Sequence, residues 1–225
     1  MNTPRITAIV PMKGHSSRVP RKNLKMLNGA PLYHWVVHAL QRANKITEII
    51  IETDSDEIAA DVIENFDLRV IRRPQELIGD EVPMNDLIEY HISVIESDIY
   101  LQTHSTNPLL KPTTIDNAIQ CFIDNRDKYD SLFSVTCLQT RLYFADGKPV
   151  NHNPEELIPT QDLPVIYEEN SNLYLFTAKS FAANKKRRIG QNPAMFEINK
   201  LEAVDIDNIE DFMLAEALIM QQTRK

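Results

Sequence analysis

No aspartate or glutamate occurs in the first 47 residues. Those residues contain Arg5, Lys13, Arg18, Arg21, Lys22, Lys25, Arg42 and Lys45, although the whole chain carries a net charge of −8. The segment therefore holds +8 and the remaining 178 residues hold −16. An acidic total argues against a nucleic-acid partner, whereas one compact basic segment suits a small polyanion such as a nucleoside triphosphate. Glycine is also scarce, with five in 225 residues. That scarcity excludes the three-glycine dinucleotide fingerprint, and no Gly-Lys-Ser/Thr sequence ends a Walker loop. Cysteine is limited to Cys121 and Cys137, both in apolar stretches without metal-ligand spacing. We expect reduced thiols in a cytoplasmic protein. The N-terminal apolar run, Ile6 to Val10, is far shorter than the roughly 20 residues a membrane helix needs, and no secretory signal is expected.

Short apolar runs alternate with stretches of helical period. Ile6–Pro11, Ile49–Glu52, Leu68–Arg72, Ile99–Gln102, Ser131–Thr136 and Leu173–Phe176 read as strands, with a further strand near Leu201–Ile206. Helices are expected over Pro31–Arg42, Asp56–Asn65, Met84–Glu96, Thr113–Asn125 and Asn208–Gln222, the second capped by Asp54-Ser55. The alternation implies a single α/β domain over residues 1–225 with a doubly wound, mainly parallel, Rossmann-like sheet. Such sheets place ligands beyond the carboxyl ends of their strands. Arg141–Pro164 interrupts the pattern with Gly147, Pro149, Pro154, Pro159 and Pro164. A loop this long is functional or interfacial, and we read residues 141–164 as an excursion that contacts a second subunit of a homodimer.

The polar segment after the first strand, Pro11 to Asn23, offers Gly14, two serines and clustered cations. Being poor in glycine, it must hold phosphates with side chains more than with backbone N–H groups. Asp205 and Asp207 alternate on a strand-like run, so both face one side. Two nearby carboxylates suit Mg²⁺. Asp207 is equally placed to cap the last helix, and the residues alone leave both roles open. His34 and His38 have metal-pair spacing on a helix but lack an evident third ligand, and read as packing residues. His91 reads as helix surface and Lys185-Lys186-Arg187-Arg188 as an exposed loop.

The segment Lys13, His15, Ser16, Ser17, Arg18, Val19, Pro20, Arg21, Lys22, Asn23 resembles the signature of the acylneuraminate cytidylyltransferases, roughly Arg-x-Gly-Ser-Lys-Gly-Ile-Pro-x-Lys-Asn. Four further segments resemble that family in the same order: Arg73-Pro74-x-x-Leu77-x-x-Asp80, Gln102–Leu109, Gln161–Pro164 with Tyr167 and Asn170, and Val204–Asp207. The resemblance implies a Mg²⁺-dependent enzyme that joins CTP to a sugar acid such as a nonulosonic acid, giving a CMP-sugar and pyrophosphate. It implies that Lys13, Gly14, Ser16, Lys22 and Asn23 hold the nucleotide, with Arg73, Val82 and Met84 at the base. Lys13, Arg18, Lys22, Asp205 and Asp207 would carry catalysis, the two aspartates holding magnesium. Gln102, His104, Gln161, Tyr167 and Asn170 would meet the acceptor. Several positions depart from the pattern. Lysine replaces arginine at Lys13, Ser17 replaces the inner lysine, His104 a glutamine, Thr160 an arginine facing the sugar acid, and Ser171 a glycine. A nucleotide-sugar-dependent glycosyltransferase and a nucleotide-binding regulator without turnover stay open as other readings of the same residues.

Overall fold

A computed structural model describes residues 3–223. Its strands are β1 (Ile6–Met12), β2 (Met26–Leu27), β3 (Ala30–Pro31), β4 (Glu48–Thr53), β5 (Arg69–Arg72), β6 (Ile99–Gln102), β7 (Ser131–Leu138), β8 (Ile166–Phe176) and β9 (Pro193–Glu197). Its helices are α1 (Leu32–Arg42), α2 (Asp56–Phe66), α3 (Met84–Val94), α4 (Pro112–Asp124), α5 (Ala178–Ala183) and α6 (Ile209–Thr223). Seven strands form one sheet in the order β5-β4-β1-β6-β8-β7-β9. Only β8 runs against its neighbours β6 and β7.

Alternation along β1 divides the interior. Ile6, Ala8, Val10 and Met12 join the core cluster that also contains residues of α1, α2 and α4. Ile9 faces the opposite cluster with Ile88, Ile95 and Phe181. That is the period of two expected of a strand covered on both faces. Within the sheet, Ile9 lies opposite Ile50 on one side and Gln102 on the other. The chain winds outward from β1 through β4 to β5, then returns to place β6 on the other side of β1. The carboxyl ends of β1 and β6 thus flank the point where strand order reverses, the usual ligand crevice of such sheets.

Three expectations are corrected. Leu201–Ile206 forms turns and extended chain, not a strand, and the last strand is Pro193–Glu197. That strand sits at the sheet edge beside β7, where a leading proline removes no needed donor. The strand expected to begin at Leu173 begins seven residues earlier, at Ile166, and carries a register shift opposite Phe133/Val135. Ser171, at φ 57, lies within it. The left-handed conformation explains why the sequence breaks strand periodicity there. His91 is fully buried, not on a helix surface. It lies 3.5 Å from Glu52, which in turn binds Arg73.

The Arg141–Pro164 segment has little regular structure. A bridge pairs Tyr143 with Pro149, and buried Asn151 ties the base by donating to the Thr140 and Pro164 carbonyls. Among the described residues, no helix is long and apolar enough to cross a membrane.

Candidate active site

Three loops meet at the strand-order reversal. The first follows β1 and runs through Lys13 to Leu24. The second follows β6, from Thr103. The third precedes α6 and carries Val204 to Asn208. Buried polar contacts staple them together. Asn23 Nδ2 donates to the Lys13 carbonyl at 2.8 Å, and Ser105 Oγ donates to Asn23 Oδ1 at 2.7 Å. The Ile206 N–H donates to the Thr106 carbonyl at 2.9 Å, while Lys22 Nζ donates to the Ile206 carbonyl at 2.6 Å.

The resulting cleft, about 280 Å³, is lined by Lys13, His15, Ser16, Arg18, Lys22 and Asn23 on one side. His104, Ser105, Thr106, Asp205, Asp207 and Asp80 complete it. A second hollow of about 450 Å³ shares Asp205 and Asp207 and adds Glu169, Asn170 and Ser171. A larger hollow of about 460 Å³, around Tyr129 and Asn184, contains none of the sequence-predicted site residues.

Asp205 and Asp207 keep the expected alternation without a strand, because fully buried Ile206 anchors the chain between them. Asp207 is not the cap of α6. Asn208 Oδ1 accepts from the Asp211 N–H, while Asp211 Oδ2 accepts from the N–H groups of Asp207 and Asn208. The Asp207 carboxylate instead meets Arg18 at 2.7 Å and Lys22 at 3.8 Å. Burial pushes the Asp205 carboxyl up; a Thr106 hydrogen bond opposes this and the Asp207 charge adds to it. Burial likewise lowers Lys22, against the pull of Asp207 and Asp205. Asp205 Oδ1 is buried without a hydrogen-bond partner. An orphaned carboxylate oxygen beside a second carboxylate is a donor set that fits a hard divalent cation. No group of three or more His, Cys, Asp or Glu side chains is placed to hold a metal among the described residues, so His34 and His38 form no such centre. His34 contacts Asp61 at 2.6 Å and packs edge-on against Phe66.

Other predicted residues take different positions. Gly14 lies close against the side chains of Asp54 and Ser55: its N–H donates to Asp54 Oδ1 at 2.6 Å, and a Cβ there would come within 2.8 Å of Ser55 Cβ. The Arg73 guanidinium does not reach the cleft. It grips Glu52 through Nε and Nη2 at 2.7 and 2.9 Å, with the side chain 1% exposed. Val82 follows Asp80 in the loop that leads into α3, and Met84, the first residue of that helix, packs against the second core cluster. Gln102 is fully buried. Asn170 lies in the second hollow but commits its amide to Ser134 and Thr136. Gln161 sits in an exposed turn whose carbonyl accepts from Gln139, and Tyr167 is half-exposed on β8; neither lines the cleft.

One buried charge close to these residues is not foreseen from the sequence. The run Lys185–Arg188 reads as an exposed loop, but Arg188 turns inward. Its guanidinium lies 3.5 Å over the Tyr174 ring and donates to Gln102 Oε1. Nothing in the local sequence separates Arg188 from its three basic neighbours.

Comparison with known proteins accords with this geometry. A family model described as cytidylyltransferase matches residues 7–224. The chain is 29% identical over 224 residues to N-acylneuraminate cytidylyltransferase A of Danio rerio, covering 96% of this chain and 51% of that protein. It therefore spans about half the length of that relative. It is also 29% identical over 231 residues to the CMP-N,N'-diacetyllegionaminic acid synthase of Legionella pneumophila subsp. pneumophila, with 96% of each covered. A CMP:2-keto-3-deoxy-manno-octonic acid synthetase solved with CTP shares the fold, with a TM-score of 0.72 at 14% identity, over 97% of this chain and 99% of that one. The match over nearly the whole chain establishes the relationship: this chain belongs to the cytidylyltransferase family.

Proposed function

We propose that this chain transfers a cytidylyl group from CTP to a hydroxyl of a sugar acid, releasing pyrophosphate. The observation that carries the reading is the cleft at the ends of β1 and β6, where Lys13, Arg18 and Lys22 confront Asp205 and Asp207. Incoming phosphates compete with Asp80 for Lys13 and with Asp207 for Arg18. Both are solvent-exposed ion pairs, at 3.0 and 2.7 Å, of the kind that is individually weak. Side-chain cations then take up charge on the leaving pyrophosphate, and the stapled loops hold nucleotide and acceptor in line. Asp205 and Asp207 would hold magnesium, which when bound supplies further positive charge to the phosphates.

The test is pyrophosphate release from CTP with Mg²⁺ and a panel containing N-acetylneuraminate, N,N'-diacetyllegionaminate, pseudaminate and 3-deoxy-manno-octulosonate. Release that requires one acid, and falls by about 10²-fold or more in Asp205→Ala, is expected. Release by no acid, or full activity in that variant, refutes the reading. A sugar-nucleotide-consuming glycosyltransferase would release no pyrophosphate from CTP.

We further propose that the active form is a homodimer joined through the excursion. Tyr143, Phe144 and Leu157 are 56, 59 and 88% exposed, an apolar concentration on a segment with little structure of its own. Light scattering should give twice the chain mass. A monomer that retains full turnover overturns this.

A further inference from the structure

Two arginines of this chain are largely withdrawn from water, and only one of them has a carboxylate in bidentate contact. Arg73 has a bidentate partner in Glu52. Arg188 does not: its side chain is 17% exposed, and its nearest carboxylate, Glu169, stands 3.9 Å away and is itself half-exposed. The remaining contacts are neutral, with the Tyr174 ring beneath the guanidinium and Gln102 Oε1 accepting from it. A cation–π contact offsets part of the desolvation of a guanidinium, but a planar fork of N–H donors is best satisfied by a carboxylate.

The position of this charge is informative. Lys185 and Lys186, at φ 55 and 58, turn the chain so that Arg188 points inward, and its backbone N–H donates to Asn85 Oδ1. The Tyr174 ring that carries Arg188 also packs against His104, with ring centroids 6.3 Å apart. His104 lines the cleft beside Lys22, Asp205 and Asp207, and its Nε2 is buried with no partner. Burial first, then the charges of Arg188 and Lys22, lower the imidazole to about 4, so it is neutral at neutral pH. A desolvated cation and a neutral ring nitrogen therefore share one aromatic support, and the imidazole itself lines the cleft. The loop cations Lys13 and Arg18 line the cleft with Ser16 and Lys22, the residues that the proposed function gives to the nucleotide. Thr160, which stands where the family resemblance places an acid-facing arginine, sits in an exposed turn and brings no charge.

We infer that Arg188 is a specificity-determining residue of the acceptor site, pairing with the carboxylate of the sugar acid while His104 Nε2 meets one of its hydroxyls. This rests on the cytidylyl-transfer reading and assigns the acid recognition within it.

The experiment compares wild type with Arg188→Met and Arg188→Lys, using the acid that best supports pyrophosphate release and the C1 amide of that acid. In Arg188→Met the KM for the acid should rise about 10- to 100-fold, the range expected for losing a charged hydrogen-bonded pair. The KM for CTP should stay within about twofold and the preference for acid over amide should vanish. Arg188→Lys should recover part of that preference. If Arg188→Met keeps the wild-type preference, or shifts both KM values alike, the inference is wrong. If Arg188→Met does not fold, Arg188→Gln and Arg188→Lys decide by the same ratio. If wild type releases pyrophosphate with none of the four acids named above, the function fails separately. Calorimetric titration of those acids into CMP-saturated protein then decides. Binding that Arg188→Met abolishes supports the assignment, and absence of binding to wild type overturns it.

Discussion

Lys22→Ala is expected to lower turnover with CTP and acceptor by about 10²- to 10³-fold, the scale seen when one preorganised donor to a developing charge is removed. Lys22 is the least exposed of the loop cations, at 12% against 36% for Lys13 and 62% for Arg18. Charge is worth more where water is displaced, so Lys22 should outweigh both. Arg18→Ala should cost about tenfold or less, its exposed contact with Asp207 resembling a weak surface pair. Because Lys22 Nζ also holds the Ile206 carbonyl, Lys22→Ala disturbs the segment that carries both aspartates. Thermal melting distinguishes that structural contribution from lost phosphate contact. Lys22→Arg should melt near wild type and recover part of kcat. A folded Lys22→Ala protein with more than a third of wild-type turnover would remove this loop from the reacting phosphates.

Glu52→Gln should be the most damaging core substitution, destabilising the fold by about 3–5 kcal/mol. Glu52, Arg73 and His91 are 0, 6 and 0% exposed, and together they join the end of β4, the residue that follows β5 and the last turn of α3. The amide would leave the Arg73 guanidinium buried without a counter-charge. Arg73 Nη1 has no partner even in the intact network, which leaves no alternative acceptor for the rearranged side chain. Urea denaturation measures the loss directly, and the melting temperature should fall by about 10 °C or more. The pair Glu52→Leu with Arg73→Met should recover much of it, since apolar replacements of similar volume can match a buried ion pair. A Glu52→Gln protein within about 1 kcal/mol of wild type would show that the network is not what joins these elements.

The same network gives a pH signature. Burial tends to raise the Glu52 carboxyl, but contacts from His91 and Arg73 outweigh it and hold the group below its ordinary value of 4.5. A depressed carboxyl contributes stability that is complete above its unfolded value and is lost as pH falls through the folded one. Wild type should therefore lose this contribution below about pH 4.5, and Glu52→Gln should lack that part of the acid transition.

Most of the parallel half of the sheet was legible in the sequence. β1, β4, β5 and β6 are short apolar runs, and α1 to α4 repeat apolar residues at helical spacing. Local periodicity decides such elements because each buries a defined face. The later strands were harder to read. The first half of β8 carries Glu168, Glu169, Asn170 and left-handed Ser171, so its sequence lacks strand alternation although β7 pairs with it. β9 opens with Pro193 at an edge and buries little beyond Ala194.

The sequence by itself determined that a basic, glycine-poor loop would follow the first strand of an α/β sheet and that an acidic pair would stand before the last helix. Charge count, hydrophobic period and loop position are local properties, and folding preserves them. Only the tertiary structure decided what each charge faces. It turned Arg73 inward onto Glu52, left Lys22 facing Asp207, and brought Arg188 from an apparently exposed run to lie on Tyr174. Whether a charge meets water, a counter-ion or a cleft depends on groups distant in sequence, and no local pattern encodes that partner.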